Sequence, residues 1–223
     1  MFMIRSAALL AAVIIALPAA AQGPVAVVED VTGQSAGVGF MDYVDAGKVL
    51  RLGARDSIVL NYMKSCVREK ITGGTITVGK EHSDVRSGMV QRSTVACDAA
   101  KLTLTSHRAD QAAGLVMRSP EPDRPLLEPQ ITLYGSSPVV AVEGGGGTVM
   151  IERLDTTGER HMAPLGRTSP AYVDFAASGT SLAPGGTYRL SVGARQFLFK
   201  VDAAAKPGRT PVVGRMLRVG PLN

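Results

Sequence analysis

Beyond its first 21 residues this chain never sustains an apolar repeat of 3.6 residues, whereas apolar and polar positions alternate in one short run after another. Period-two patterning buries one face of a strand and gives a helix no continuous stripe, so the chain is predicted to be all-β. The fullest run lies between Leu50 and Gly79. Ile58, Leu60 and Tyr62 alternate there with Val59, Asn61 and Met63, which predicts a strand. Gly73-Gly74 then separates Val67–Thr72 from Thr75–Val78. A Gly-Gly pair between two such runs predicts a tight hairpin, because the favoured two-residue turns require positive φ. That turn would set Thr72 opposite Thr75, Ile71 opposite Ile76 and Glu69 opposite Val78, with Val67, Ile71, Ile76 and Val78 on a core face. Glu69 is then the one charge expected beside an apolar face.

Residues 1-21 have the makings of a secretory signal peptide. Arg5 supplies the positive start, Ala7 to Leu17 the apolar run, and Pro18 breaks it. Ala19 and Ala21 are small at both positions a signal peptidase reads, so cleavage is predicted before Gln22. The rival reading is a membrane anchor, but the run is shorter than the roughly 20 residues a spanning helix needs. The mature protein is expected to be soluble and exported, to the bacterial periplasm or outside the cell. No later stretch is long and apolar enough to span a membrane.

The formal net charge is +5 with the leader and one unit less without Arg5. The cations are scattered: Arg51, Arg55, Lys64, Arg68, Lys70, Arg189, Arg195, Arg215 and Arg218. With no basic run interleaved with aromatics, nucleic acid is a poor partner. The reading is a solvated surface with a mild pull toward anionic envelope polymers. Both cysteines, Cys66 and Cys97, survive cleavage, and an even count in an exported chain points to a disulfide. Closing such a loop contributes about 3–4 kcal/mol on the chain-entropy account. Two free thiols, or metal ligands lacking a second pair, are the alternatives.

Ser119-Pro-Glu-Pro-Asp-Arg-Pro125 marks a change of composition. Three prolines in so short a stretch exclude a central strand and favour an extended linker. The expected organisation is therefore a leader over 1-21, a small β domain over 22-118, a linker over 119-125 and a second small β domain over 126-223. In the first domain, strands are expected over Pro24–Val31, Phe40–Val44, Lys48–Leu52, Met89–Cys97 and Lys101–Thr105. Lys80–Gly88 reads as a loop and Ser106–Ala113 as one or two helical turns. In the second, strands are expected over Gln130–Tyr134, Val139–Val142, Thr148–Leu154, Ala171–Phe175, Thr187–Val192, Gln196–Asp202 and Arg215–Val219, a number that suggests a sandwich.

The most specific motif is Leu182-Ala-Pro184-Gly185-Gly-Thr-Tyr188-Arg-Leu190. Pro184 and Gly185 can turn the chain at a sandwich edge, Leu182 can pack under the turn, and Tyr188 can bury its ring while its hydroxyl reaches a nearby backbone group. The stretch resembles the Leu-x-Pro-x-x-x-Tyr segment of fibronectin type III and related Ig-like domains, and that resemblance implies an Ig-like β-sandwich with a tyrosine corner. The chain has no tryptophan to match those families' early one. In the first half, Gly47-Lys-Val-Leu-Arg-Leu-Gly53, the alternating strand and the hairpin resemble FecR-type periplasmic domains. FecR itself is a membrane-bound regulator; without a retained anchor only the fold is implied here.

Chemistry is sparse. His82, His107 and His161 have no metal-ligand spacing and read as exposed loop histidines. Glu81, His82 and Asp84 could hold a divalent ion only weakly. No serine sits in Gly-x-Ser-x-Gly, and Gly144-Gly-Gly-Gly147 lacks the Lys and Ser/Thr of a phosphate loop, reading instead as a flexible loop before a strand. No catalytic residue, metal or cofactor is assigned. The expected function is that of a non-enzymatic envelope protein, a binding or assembly module for a protein partner. The alternatives are a periplasmic hydrolase of envelope polymer with scattered catalytic residues and a ligand-binding regulatory sensor.

Overall fold

A computed structural model describes residues 24–98, 103–104, 107–108, 128–144, 146–167 and 170–220. Residues 1–21, the expected leader, and the proline-rich stretch lie outside these residues. The described chain is all-β, with one 3-10 turn at Val212–Gly214 and no α-helix.

The first half is one six-stranded sheet. Its strands are β1 (Ala26–Thr32), β2 (Tyr43–Val44), β3 (Val49–Tyr62), β4 (Val67–Val78), β5 (Ser83–Arg86) and β6 (Met89–Thr94). The order is β2-β1-β3-β4, and β4 is then paired along its second part by β5 and along its first part by β6. Gly73-Gly74 does not close a hairpin. Thr72 pairs with Ser57 and Thr75 with Arg51, so β4 runs unbroken beside β3. The two glycines keep the positive φ that a hairpin would have used, +66° and +83°, but spend it on a bend. Gly53 to Asp56 bulge out of β3 at the same level. Ser87-Gly88 interrupts β5 and β6 there too, with Ser87 at positive φ. Close approach fixes the residue choice: a Cβ on Gly74 would collide with the Arg86 carbonyl, and one on Gly88 with the Gly73 carbonyl. A hairpin at Gly73 would pair only a few residues. Pairing with β3 gives both parts of β4 a full-length partner.

The aligned bends let one sheet close over its own core. Leu50, Leu52, Ile76 and Val78 lie beyond the bend; Ile58, Leu60, Tyr62 and Ile71 lie before it; Ala26 and Val28 of β1 join both groups. Glu69 lies opposite Leu60 and Arg92, not Val78. Ser83–Arg86, expected to be loop, forms β5 because the bent β4 offers it an open edge.

The second half is built from two sheets. One has the order β13-β10-β16-β7, the other β12-β11-β14-β15, with β8 and β9 both pairing to β15. These strands are β7 (Thr103–Leu104), β8 (His107–Arg108), β9 (Ile131–Gly135), β10 (Val139–Val142), β11 (Thr148–Arg153), β12 (Arg160–Pro164), β13 (Ala171–Asp174), β14 (Thr187–Val192), β15 (Arg195–Lys206) and β16 (Met216–Val219). Their inward residues form one core between the sheets, including Val140, Val142, Val149, Ile151, Tyr188, Leu190, Phe197, Phe199, Leu217 and Val219. β12 is a strand the sequence pattern misses, since an edge strand needs little apolar alternation. His107–Arg108, expected to be helical, is strand. Although counted with the first half by composition, 103–104 pair with β16 and 107–108 with β15.

An apolar seam joins the halves. Val27, Met41 and Met63 from the first pack on Val139, Ala141, Val212 and Met216 from the second. Phe40 meets Tyr172 edge-on at 5.4 Å, and the Arg218 guanidinium lies 4.3 Å above the Tyr43 ring. Several arginines read as surface charge are held in place: Arg68 binds Glu29, Arg189 binds Glu152, Arg218 binds Glu143, and Arg215 is buried against Asp174.

Candidate binding site

Every sheet edge is a candidate for a partner strand, and natural proteins protect such edges with charge, proline or shortness. Edge strand β12 ends in Pro164 and carries Arg160 and His161; β2 has two residues; β5 carries Asp84 and Arg86. β6 lacks these devices. It reads Met-Val-Gln-Arg-Ser-Thr, pairs only with β4 among the described residues, and leaves Met89 71% exposed. Its one charge, Arg92, is half-exposed but already engaged by partners on the neighbouring strands. Arg92 Nε donates to Glu69 Oε1 at 2.6 Å, and its Nη2 donates to the Ser83 carbonyl at 2.7 Å.

Glu69, at 0% exposure, is the centre of a buried polar cluster. Both its oxygens accept the Ser83 backbone N–H at 3.1 Å, and the Ser83 hydroxyl shares a 2.7 Å hydrogen bond with Tyr62. Burial pushes the Tyr62 hydroxyl up to about 12 against the opposing pull of the Ser83 hydrogen bond. The cluster ties β4, β5 and β6 together from the core side, and the outer edge of β6 is unpaired among the described residues. Beside that edge is a groove of about 350 Å³, lined by Val67, His82, Arg92, Ser93 and Thr94. An added strand would lay alternate side chains over this groove. His82 and Ser93 share it, and no carboxylate lines it among the described residues.

Cys66 and Cys97 form a disulfide, with their Cα atoms 5.8 Å apart. It ties the turn between β3 and β4 to the segment that follows β6. The Val95 N–H donates to the Cys66 carbonyl at 3.0 Å. One residue past the bridge, the Asp98 carboxylate accepts the Thr132 N–H at 3.2 Å, so the bridged segment reaches into the second half.

In the 182–188 motif, Leu182 is buried, Gly185 has φ +77°, and the buried Tyr188 ring stacks on Phe199 at 5.5 Å. Pro184 is exposed at the turn. The Tyr188 hydroxyl lies 2.9 Å from both the Ala183 carbonyl and Glu159 Oε2, sharing one proton between two acceptors. Burial pushes the Glu159 carboxyl up, but the Ala183 N–H, the Tyr188 hydroxyl and His161 outweigh it and hold the group below its ordinary value. His161 is thus not a loop histidine: it stands in β12, 3.5 Å from Glu159. His82 is exposed between strands, and His107 lies in β8. Among the described residues, no three His, Cys, Asp or Glu side chains gather as metal ligands, Glu81, His82 and Asp84 included. Gly144, Gly146 and Gly147, between β10 and β11, have positive φ.

A lowered carboxyl stabilises the fold above the unfolded value of about 4.3, and that contribution is lost as pH falls through the folded value. Tyr188→Phe removes one donor to Glu159 and should cost about 1 kcal/mol near neutrality. The penalty should narrow in acid, where Glu159 is protonated in both proteins. Urea titrations at neutral and acid pH measure it; a penalty that is constant or grows in acid would contradict the assignment.

Comparison with protein-family models, with curated proteins and with solved structures finds no match to this chain.

Proposed function

We propose that this chain is an exported, non-catalytic binding module of the bacterial envelope, which takes up an extended segment of a partner protein along β6. The outer edge of β6, unpaired among the described residues, is the observation that carries the reading. An unpaired strand edge supplies backbone donors and acceptors in the spacing a second strand requires, and the adjoining groove supplies side-chain selectivity. Export is supported by the leader and by the disulfide. The resemblances to FecR-type and Ig-like domains support a scaffold that presents such an edge without doing chemistry itself.

The test uses the mature protein and the double variant Met89→Lys/Gln91→Lys, which places cations on the bare edge. Partner capture from envelope extract should be at least about tenfold weaker for the variant, on the scale of one or two lost strand–strand contacts. Hydrogen exchange of the captured complex should show new protection over Met89–Thr94. A partner that binds both proteins equally and leaves β6 unprotected, or turnover of envelope polymer by the purified chain, would sink the proposal.

A further inference from the structure

A cleft of about 490 Å³ lies at the seam, lined from both halves. Glu29, Asp30 and Phe40 line it from the first half; Tyr172, Asp174, Arg209 and Arg215 are among those lining it from the second. That volume is the size of a small-ligand site and too small for a folded partner.

What the cleft can bind follows from which of its groups are already committed. Both Glu29 oxygens accept from Arg68, and one also accepts from Asn61. Both Asp174 oxygens accept from Arg215, and one also accepts the Ala176 N–H. Arg215 in turn gives Nε to the Thr210 carbonyl and one Nη1 hydrogen to the Ser137 carbonyl. Four of its five donors are used. Three groups retain capacity. Arg209 is exposed and has no hydrogen-bond or ion-pair partner among the described residues. Asp30 uses one oxygen, on the Val31 N–H, and keeps the other. Tyr172 is 42% exposed, and its ring forms an apolar corner with Phe40.

We infer that this cleft binds a short peptide by its free C-terminal end, with the carboxylate on Arg209, the amine end toward Asp30 and an apolar terminal side chain against Phe40 and Tyr172. Arg209 offers the two-pronged donor geometry that suits a carboxylate. Asp30 lies on the opposite half, so a ligand with charge at one end only would leave one of them unanswered. The committed pairs Glu29–Arg68 and Asp174–Arg215 hold the walls without adding net charge. This site lies away from β6 and does not depend on strand addition there.

The probes are the tripeptides Gly-Gly-Leu and Gly-Gly-Phe, their C-terminal amides and their N-acetyl forms, titrated into the full mature chain by calorimetry and by amide chemical shifts. Saturable binding of the free peptides is expected, with shifts at Phe40, Tyr172 and Arg209. Amidation and Arg209→Ala should each weaken it at least about tenfold, the scale of a lost charge-assisted hydrogen bond. Acetylation and Asp30→Asn should weaken it several-fold. Both substitutions fall on exposed residues, and far-UV circular dichroism confirms the fold. The Met89→Lys/Gln91→Lys protein should bind the peptides normally, which separates failure at this site from failure at β6. No saturable binding of either free peptide, or binding indifferent to Arg209→Ala, overturns the inference.

Discussion

Replacing Arg215 by methionine should destabilise the second half by about 3–5 kcal/mol, the scale for leaving one member of a buried ion pair alone. Arg215 is 2% exposed, and its Nη1 lies 2.6 Å from Asp174 Oδ1. The substitution strips the buried Asp174 carboxylate of its cation and leaves the Ser137 and Thr210 carbonyls without their guanidinium donors. For a chain of this length the loss corresponds to a melting temperature lower by on the order of 10 °C. Removing both charges, as Arg215→Met with Asp174→Leu, should recover much of it, because the cost lies in the unpaired charge more than in the lost attraction. Calorimetry on the two variants checks this. A single variant as stable as the parent would mean that Asp174 is solvated well enough to stand alone. The same pair braces a wall of the seam cleft, so the single variant should also weaken tripeptide binding even where the fold persists.

The second large effect belongs to the disulfide. Reduction and alkylation of Cys66 and Cys97, or their joint replacement by alanine, should cost about 3–4 kcal/mol through the freedom returned to the unfolded chain. With an ordinary urea dependence this lowers the midpoint by about 1.5 M. The effect should concentrate in the first half. That half is a single bent sheet with a modest core, and the bridge fastens the end of β6 to the turn at Cys66. Hydrogen exchange should show loosening of Val95 to Asp98 and of β6, while β14 and β15 keep their protection. Equal midpoints for the oxidised and reduced protein would assign the bridge no part in stability; uniform loosening of both halves would instead make the seam one cooperative unit.

The bridge also bears on strand addition. Unprotected edges invite self-association as readily as partner binding. By fastening the end of β6 to the turn that leads into β4, the disulfide limits the openings that would expose more of β4. The reduced protein should therefore associate with itself more readily than the oxidised one, a difference that light scattering can follow.

Local chemistry was legible in the residues themselves. Alternation gave the strand Thr187–Val192 at its observed bounds, and an unbroken apolar run gave Val139–Val142, which is buried on both faces. The turn at Pro184-Gly185 and the burial of Tyr188 were likewise written in a short segment whose conformation depends on few distant groups. The pairing of the two cysteines was expected from their even number together with the expected export, and the disulfide is formed. Tertiary structure decided whatever depended on competition between distant segments. Gly73-Gly74 suits a hairpin by its own preference, yet the longer partner β3 outweighs that preference and turns the glycines into a bend. Arg215 looks like any surface arginine until the chain brings Asp174, Ser137 and Thr210 around it. Arg209, Asp30 and Tyr172 carry no motif, and only the packing of one half on the other gathers them into a cleft. Sequence patterns report the energy of neighbours along the chain; partner choice, burial of charge and shape of the seam are set by residues far apart in it.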